Sequence, residues 1–181
     1  MKLKSKNLYL PILGVFLLLL IGCGPSKNTS DKLVSDSVDA KATIIAKHPN
    51  MSELFSTSKG YAIFPNVGKG AYIVGGASGN GTVYENQRMV GYADLKQLDI
   101  GLQLGGKAFI EVLFFQTQAA LDEFKGGSFQ LSGNVSAVIL EEGASKTVEF
   151  SNGIAVVTMP KAGAMAGISV GGQRFEFFPL N

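Results

Sequence analysis

From Gly60 to Thr117 the chain is a succession of short apolar runs, each closed by glycine or a polar turn. The runs are Tyr61–Phe64, Ala71–Gly75, Thr82–Tyr84, Met89–Ala93, Ile100–Leu104 and Ala108–Phe115, all rich in aromatic or β-branched residues. Runs of this kind a few residues apart form neighbouring antiparallel strands. In the last of them Ala108, Ile110, Val112 and Phe114 share one face, and Phe109, Glu111, Leu113 and Phe115 the other, because side chains alternate along a strand. Both faces are mostly apolar, which predicts a central strand covered on both sides. Glu111 is its one charge. It is either exposed on a strand face or buried at a cost, and Lys107 is then its near partner in sequence.

Six glycines fall between Gly68 and Gly81: Gly68, Gly70, Gly75, Gly76, Gly79 and Gly81. A phosphate cradle needs its glycines between a strand and a helix, so that the helix N-terminus meets the anion. Here a strand follows Gly70, and no Gly-Lys-Ser/Thr occurs. The glycines therefore predict bulges and turns in a tightly curved sheet.

The first residues read as a targeting signal. Lys2, Lys4 and Lys6 precede an apolar run, Leu8–Ile21, broken only by Pro11 and Gly14. That run is short for a membrane span, which needs about 20 residues, and suits a signal peptide. It ends in Leu20-Ile21-Gly22-Cys23, and Cys23 is the one cysteine of the chain. The tetrapeptide resembles the bacterial lipobox. The resemblance implies cleavage after Gly22, diacylglycerol on the Cys23 thiol, acylation of the new amine, and a tether over residues 23–30. Glycine after the cysteine, as Gly24 is here, implies the outer membrane facing the periplasm. A disulfide within one chain lacks a second cysteine.

The full chain has 16 basic and 14 acidic side chains. Removing residues 1–22 takes three lysines and no acid, which leaves 13 basic against 14 acidic. A nucleic-acid binder needs a basic stripe, and the sequence shows none. The remaining length suits one domain, residues 31–181, with a core of its own.

Asp31–His48 predicts a helix with Leu33, Val34, Val38, Ala42 and Ile45 near one face, stopped at Pro49. Its acids and lysines balance, so packing on the domain's own sheet is favoured over a membrane-surface helix, whose polar face is basic. Asn50 and Glu53 have capping-box spacing before a second short helix carrying Met51, Leu54 and Phe55. His48, the sole histidine, reads as a surface residue at a helix end. One histidine with one lipidated cysteine cannot make a zinc site, and no cofactor is implied.

Thr117–Gly127 predicts a short inserted helix, with Thr117 as cap, Ala120, Leu121 and Phe124 on one face, and Gly126 as stop. Further strands are predicted at Val135–Leu140, Thr147–Phe150, Ile154–Met159, Met165–Val170 and Arg174–Phe178, with a hairpin turn at Ser151-Asn152-Gly153. The fold class is α+β: an antiparallel β-sandwich or barrel-like sheet with N-terminal helices and one short inserted helix.

The order Gly60-Tyr-Ala-Ile-Phe-Pro65, Gly68-Lys69-Gly70, the Gly75-Gly76 to Gly81 segment, Gly101-Leu-Gln-Leu-Gly105, the Thr117–Phe124 helix and Met165-Ala-Gly-Ile-Ser-Val-Gly-Gly172 resembles the SYLF family. The resemblance covers about Asp31 to Phe178. It implies a small exported protein of the kind common among bacterial members, many of which carry lipoprotein signals. Eukaryotic members bind membrane lipids, notably phosphoinositides, and some bind actin, with basic or additional N-terminal segments. This chain has a charge-balanced helix in that place. The family implies no reaction and no catalytic residue.

Three classes of function are left. A lipid-binding module held at a membrane by Cys23 is the first, and an envelope scaffold or partner-binding protein is the second. An enzyme is the third and fits poorly: no nucleophile–base arrangement is visible, and Asp94 and Asp99 form the nearest carboxylate pair. For the first class the anionic surface is expected to meet Lys69, in a loop between Gly68 and Gly70, helped by Lys107, Lys161 or Arg174. Loops at one end of a β domain often converge, which would set the loops of Lys69 and Lys161 on one rim. Membrane lipids are the expected partners, through the acylated cysteine and the domain surface.

Overall fold

The computed structural model describes residues 27–70, 76–98, 107–131, 135, 137–141, 147–161, 170 and 172–180; the side chains of residues 27, 28, 69, 70, 98 and 107 are outside that set. Two helices, α1 (Lys27–Lys47) and α2 (Met51–Thr57), precede four strands: β1 (Gly60–Gly70), β2 (Gly76–Glu85), β3 (Arg88–Leu98) and β4 (Lys107–Phe115). Helix α3 (Gln118–Lys125) follows, and then β5 (Ser128–Gln130), β6 (Ala137–Ile139), β7 (Ile154–Pro160) and β8 (Arg174–Pro179). The strands form one sheet in the order β5-β8-β3-β2-β1-β4-β7-β6. Every pair is antiparallel except β6 with β7.

The sheet is curled into a half-barrel, the barrel-like form of the expected α+β fold. Gln173, just before β8, donates from Nε2 to Glu111 Oε2 on β4 at 3.0 Å. Those strands are four places apart, about 19 Å along a flat sheet with ~4.8 Å between neighbours. Phe64 on β1 and Phe175 on β8 likewise bring their ring centroids to 5.5 Å from three places apart. Only a curled sheet brings these side chains together.

The concave face holds one core: Phe64, Leu95, Phe109, Phe115, Phe129 and Phe175, closed by Leu121 and Phe124 of α3. The other face holds a second, in which Ile44 of α1 and Met51 and Phe55 of α2 cover Tyr61, Ile63, Ile110, Val112, Phe114 and Val157. Strand β4 lies between β1 and β7 and feeds both cores, as its two apolar faces require.

Local signals explain two of the element ends. Thr117 has extended backbone and its Oγ1 accepts from the Ala120 N–H at 3.2 Å, capping α3. Asn152 and Gly153 both have positive φ, and Ser151 and Ile154 exchange two hydrogen bonds across them, as a two-residue hairpin turn demands.

Several expectations are corrected. Asn50 is itself helical and makes no side-chain cap, so the capping box before α2 does not form. His48 is buried, 6 % exposed, because the junction is tight: its N–H continues the α1 ladder to Ile44 and its carbonyl accepts from Met51. Residues Thr147–Phe150 form no strand, and β5 was not foreseen. The runs Ala71–Gly75 and Ile100–Leu104, and Met165–Val170 apart from its last residue, lie outside the described residues.

The glycine cluster serves the strands themselves. Gly76, Gly79 and Gly81 lie in β2, and β1 is irregular opposite them, around Pro65 and Asn66. A Cβ on Gly81 would lie 2.6 Å from both the Ile63 carbonyl oxygen and Phe64 Cδ1. Backbone cannot yield as a flexible side chain can, and overpacking of this kind costs about 1–3 kcal/mol. Gly81→Val should lose at least that much in urea unfolding, while an unchanged midpoint would show that β1 and β2 separate freely there.

Candidate functional site

One end of the sheet collects the C-terminal ends of β1, β3 and β7 and the N-terminal ends of β2, β4 and β8. A single transverse line can be followed there through the strand registers. Arg174 pairs with Lys96, Lys96 with Ser78, Ser78 with Gly68, and Gly68 with Ala108. The Lys161 N–H then donates to the Ala108 carbonyl at 2.9 Å. Arg174, Lys96, Ser78, Gly68 and Ala108 are all exposed. Lys161 is half-buried, and its Nζ donates to Asn66 Oδ1.

Lys69, Lys107, Lys161 and Arg174 have their backbones at one end of the sheet. The expected loop around Lys69 is corrected: Lys69 lies in β1, paired with Ala77 of β2 and Lys107 of β4. Its backbone is inserted in ladders on both sides, so it does not form the open anion nest that a glycine-flanked loop would offer. The side chains of Lys69 and Lys107 lie outside the described residues, as do Gly22 and Cys23.

Lys96 is a member that the sequence reading missed, because the predicted strand stopped at Ala93. The alternation in fact continues: Ala93, Leu95 and Gln97 are buried and Lys96 is exposed, a period-two signal that would have carried the strand on.

One row further into the sheet the sign reverses. Asp94 pairs with Glu176. Asp94 is half-buried and its Oδ1 accepts from Asn80 Nδ2 at 2.9 Å. Burial pushes the Asp94 carboxyl above its ordinary range, Lys96 opposes that, and Glu176 adds to it. Asp99, the other carboxylate considered from the sequence, lies outside the described residues.

The next row is aromatic, Tyr92 against Phe178. It walls a cleft of about 960 Å³ between the first turns of α1 and strands β2, β3 and β8. Lys32 and Asp36 of α1, joined at 2.7 Å, edge this cleft, and Phe178 and Leu180 are 41 % and 45 % exposed in it. Its volume is that of a small-molecule site, roughly 300–1,000 Å³.

A second polar cluster anchors α1. Lys41 Nζ donates to Tyr61 Oη at 2.9 Å and sits 4.8 Å and 4.7 Å from the ring centroids of Phe55 and Tyr61. Burial lowers the Lys41 pKa, and burial together with Tyr84 raises that of Tyr61. A cation held over two rings is worth about 0.5–2 kcal/mol, which suits a helix anchor. Among the described residues no group of three His, Cys, Asp or Glu side chains could hold a metal ion.

Residues 96–177 match a protein-family model, Ysc84, described as "Las17-binding protein actin regulator". The matched region begins at Lys96 and takes in Lys107, Lys161, Arg174 and Glu176. The chain is also similar to "Beta cell expansion factor A" of Aeromonas veronii, 24 % identical over 131 residues, which is 71 % of this chain and 49 % of that protein. The chain therefore spans about half the length of the curated relative it matches.

Proposed function

We propose that this chain, which belongs to the Ysc84 or SYLF family, is a lipid-surface-binding module tethered through Cys23 to a bacterial envelope membrane. The observation that carries the reading is the basic line across one end of the sheet, Arg174 and Lys96 at one side and Lys161 at the other, with the backbones of Lys69 and Lys107 paired beside it. Each lysine or arginine near an anionic surface contributes about 1 kcal/mol, screened by salt. With 13 basic and 14 acidic side chains after residue 22, no long-range attraction adds to it. Binding by the domain is then modest, and the acylated cysteine supplies the local concentration that makes it effective. Glycine after that cysteine favours the outer membrane, on the periplasmic side.

A scaffold for a protein partner is the second reading, favoured by the exposed Phe178 and Leu180. Co-sedimentation of residues 24–181 with phosphatidylglycerol vesicles separates the two. Binding at low salt, lost at high salt and weakened about five-fold by Lys96→Gln, is expected from the per-residue contribution. Absence of binding at low salt would leave the scaffold.

A further inference from the structure

The charges on β3 and β8 are arranged against the rule for antiparallel pairs. Like charges directly opposite one another destabilise a sheet, and opposite charges stabilise it. Here Lys96 faces Arg174, and two residues along Asp94 faces Glu176. Exchanging the two charges on either strand would turn both repulsive pairs into attractive ones. Diagonal contacts do not rescue the arrangement: among the described residues none of the four forms an ion pair. Places where a local rule is broken are expected to be functional or strained sites. The pattern leaves a cationic stripe and an anionic stripe on one face, about 7 Å apart along the strands. The aromatic pair Tyr92 and Phe178 and the cleft lie beyond the anionic stripe.

We propose that these two stripes form a binding site for a zwitterionic aminophosphate headgroup, with the phosphate on Lys96 and Arg174 and the ammonium on Asp94 and Glu176. The inference rests on the lipid-surface reading and names its headgroup. An anionic headgroup satisfies one stripe and is repelled by the other, whereas an ammonium two carbons from a phosphate satisfies both. Asp94 is the better ammonium acceptor of the two acids: it is half-buried, its bond from Asn80 fixes it, and it lines the cleft. The cleft then receives the apolar part of the ligand against Tyr92, Phe178 and Leu180. Phosphate–guanidinium contact is bidentate and directional, so Arg174 sets the orientation of the headgroup.

The test is calorimetric titration of the full chain in maltoside micelles with phosphoethanolamine, glycerol 3-phosphate and ethanolamine. Phosphoethanolamine is expected to bind at least ten-fold more tightly than either of the others. The variant R174E/E176R keeps composition and net charge, changes two exposed positions, and places opposite charges across both pairs. It should abolish the preference without lowering the melting temperature. Equal affinity for phosphoethanolamine and glycerol 3-phosphate, or a preference that survives the swap, overturns the proposal. A short-chain phosphatidylethanolamine in the same titration identifies the source: tighter binding than the free headgroup makes the ligand a lipid seated in the cleft, and equal binding makes it the free zwitterion. Vesicle binding to phosphatidylglycerol that persists without phosphoethanolamine affinity removes this inference alone. The converse result removes the anionic-surface reading and leaves the striped site standing.

Discussion

Glu111→Leu should lower the unfolding free energy by about 2–3 kcal/mol, and Glu111→Leu with Gln173→Leu should recover most of the loss. Glu111 is fully buried in the middle of β4, where the sequence had left it either exposed or buried. One partner comes from the far side of the curl: Oε2 accepts from Gln173 Nε2 at 3.0 Å, and that amide also lies 3.4 Å from Gln97 Oε1. Leucine removes a costly buried carboxylate, but it strands an amide donor in a core that water does not reach. An unsatisfied buried donor costs more than the net worth of the bond it lost, while removing both partners for apolar groups is close to neutral. Urea titrations of the two single variants and the double variant measure the coupling directly. A single variant as stable as the parent would show that carboxylate desolvation outweighs the network.

What could be read from the chain was what depends on neighbours in sequence. Alternation placed β4 and gave it two covered faces, Thr117 announced the start of α3, and Ser151-Asn152-Gly153 announced a hairpin. The turn between β2 and β3 shows where such signals fail. Asn86 and Gln87 both take positive φ without a glycine, and glutamine is not a residue that favours that conformation. His48 escaped for a similar reason: a lone histidine before proline reads as exposed, whereas the fold buries it at the junction of α1 and α2.

The site was partly legible. Lys69, Lys107 and Lys161 could be named as isolated cations beside glycine or proline, and Arg174 as a cation at the start of a strand; the fold brings their backbones to one end. Lys96 was within reach of the alternation along β3, but the like-charge pairing was not, because register between β3 and β8 depends on how the strands are ordered in the sheet. A one-residue slip would put each of these side chains on the other face. No local pattern carries that information.

Phe124→Ala should be the more damaging substitution, with a loss of about 3–5 kcal/mol. Phe124 is fully buried on α3, with its ring centroid 5.0 Å from that of Phe115 and 5.7 Å from those of Phe129 and Phe175. Helix α3 has eight residues, too few to be stable by its own hydrogen bonds, so its place depends on the face it buries. Alanine would leave a cavity between β4, β5 and β8 lined by rings that cannot all collapse into it. Strand β5 has three residues and covers the outer edge of β8, with Phe129 registered against Phe175. The consequence is directional: the loss should loosen the β8 edge that carries Arg174 and Glu176 before it reaches β1 and β4, which have neighbours on both sides. Hydrogen exchange should therefore accelerate at the amides of Phe175 and Phe177 at denaturant concentrations where those of Ile63 and Val112 remain protected. Uniform acceleration along all strands would show that the sheet opens as one unit and that α3 does not selectively hold the edge.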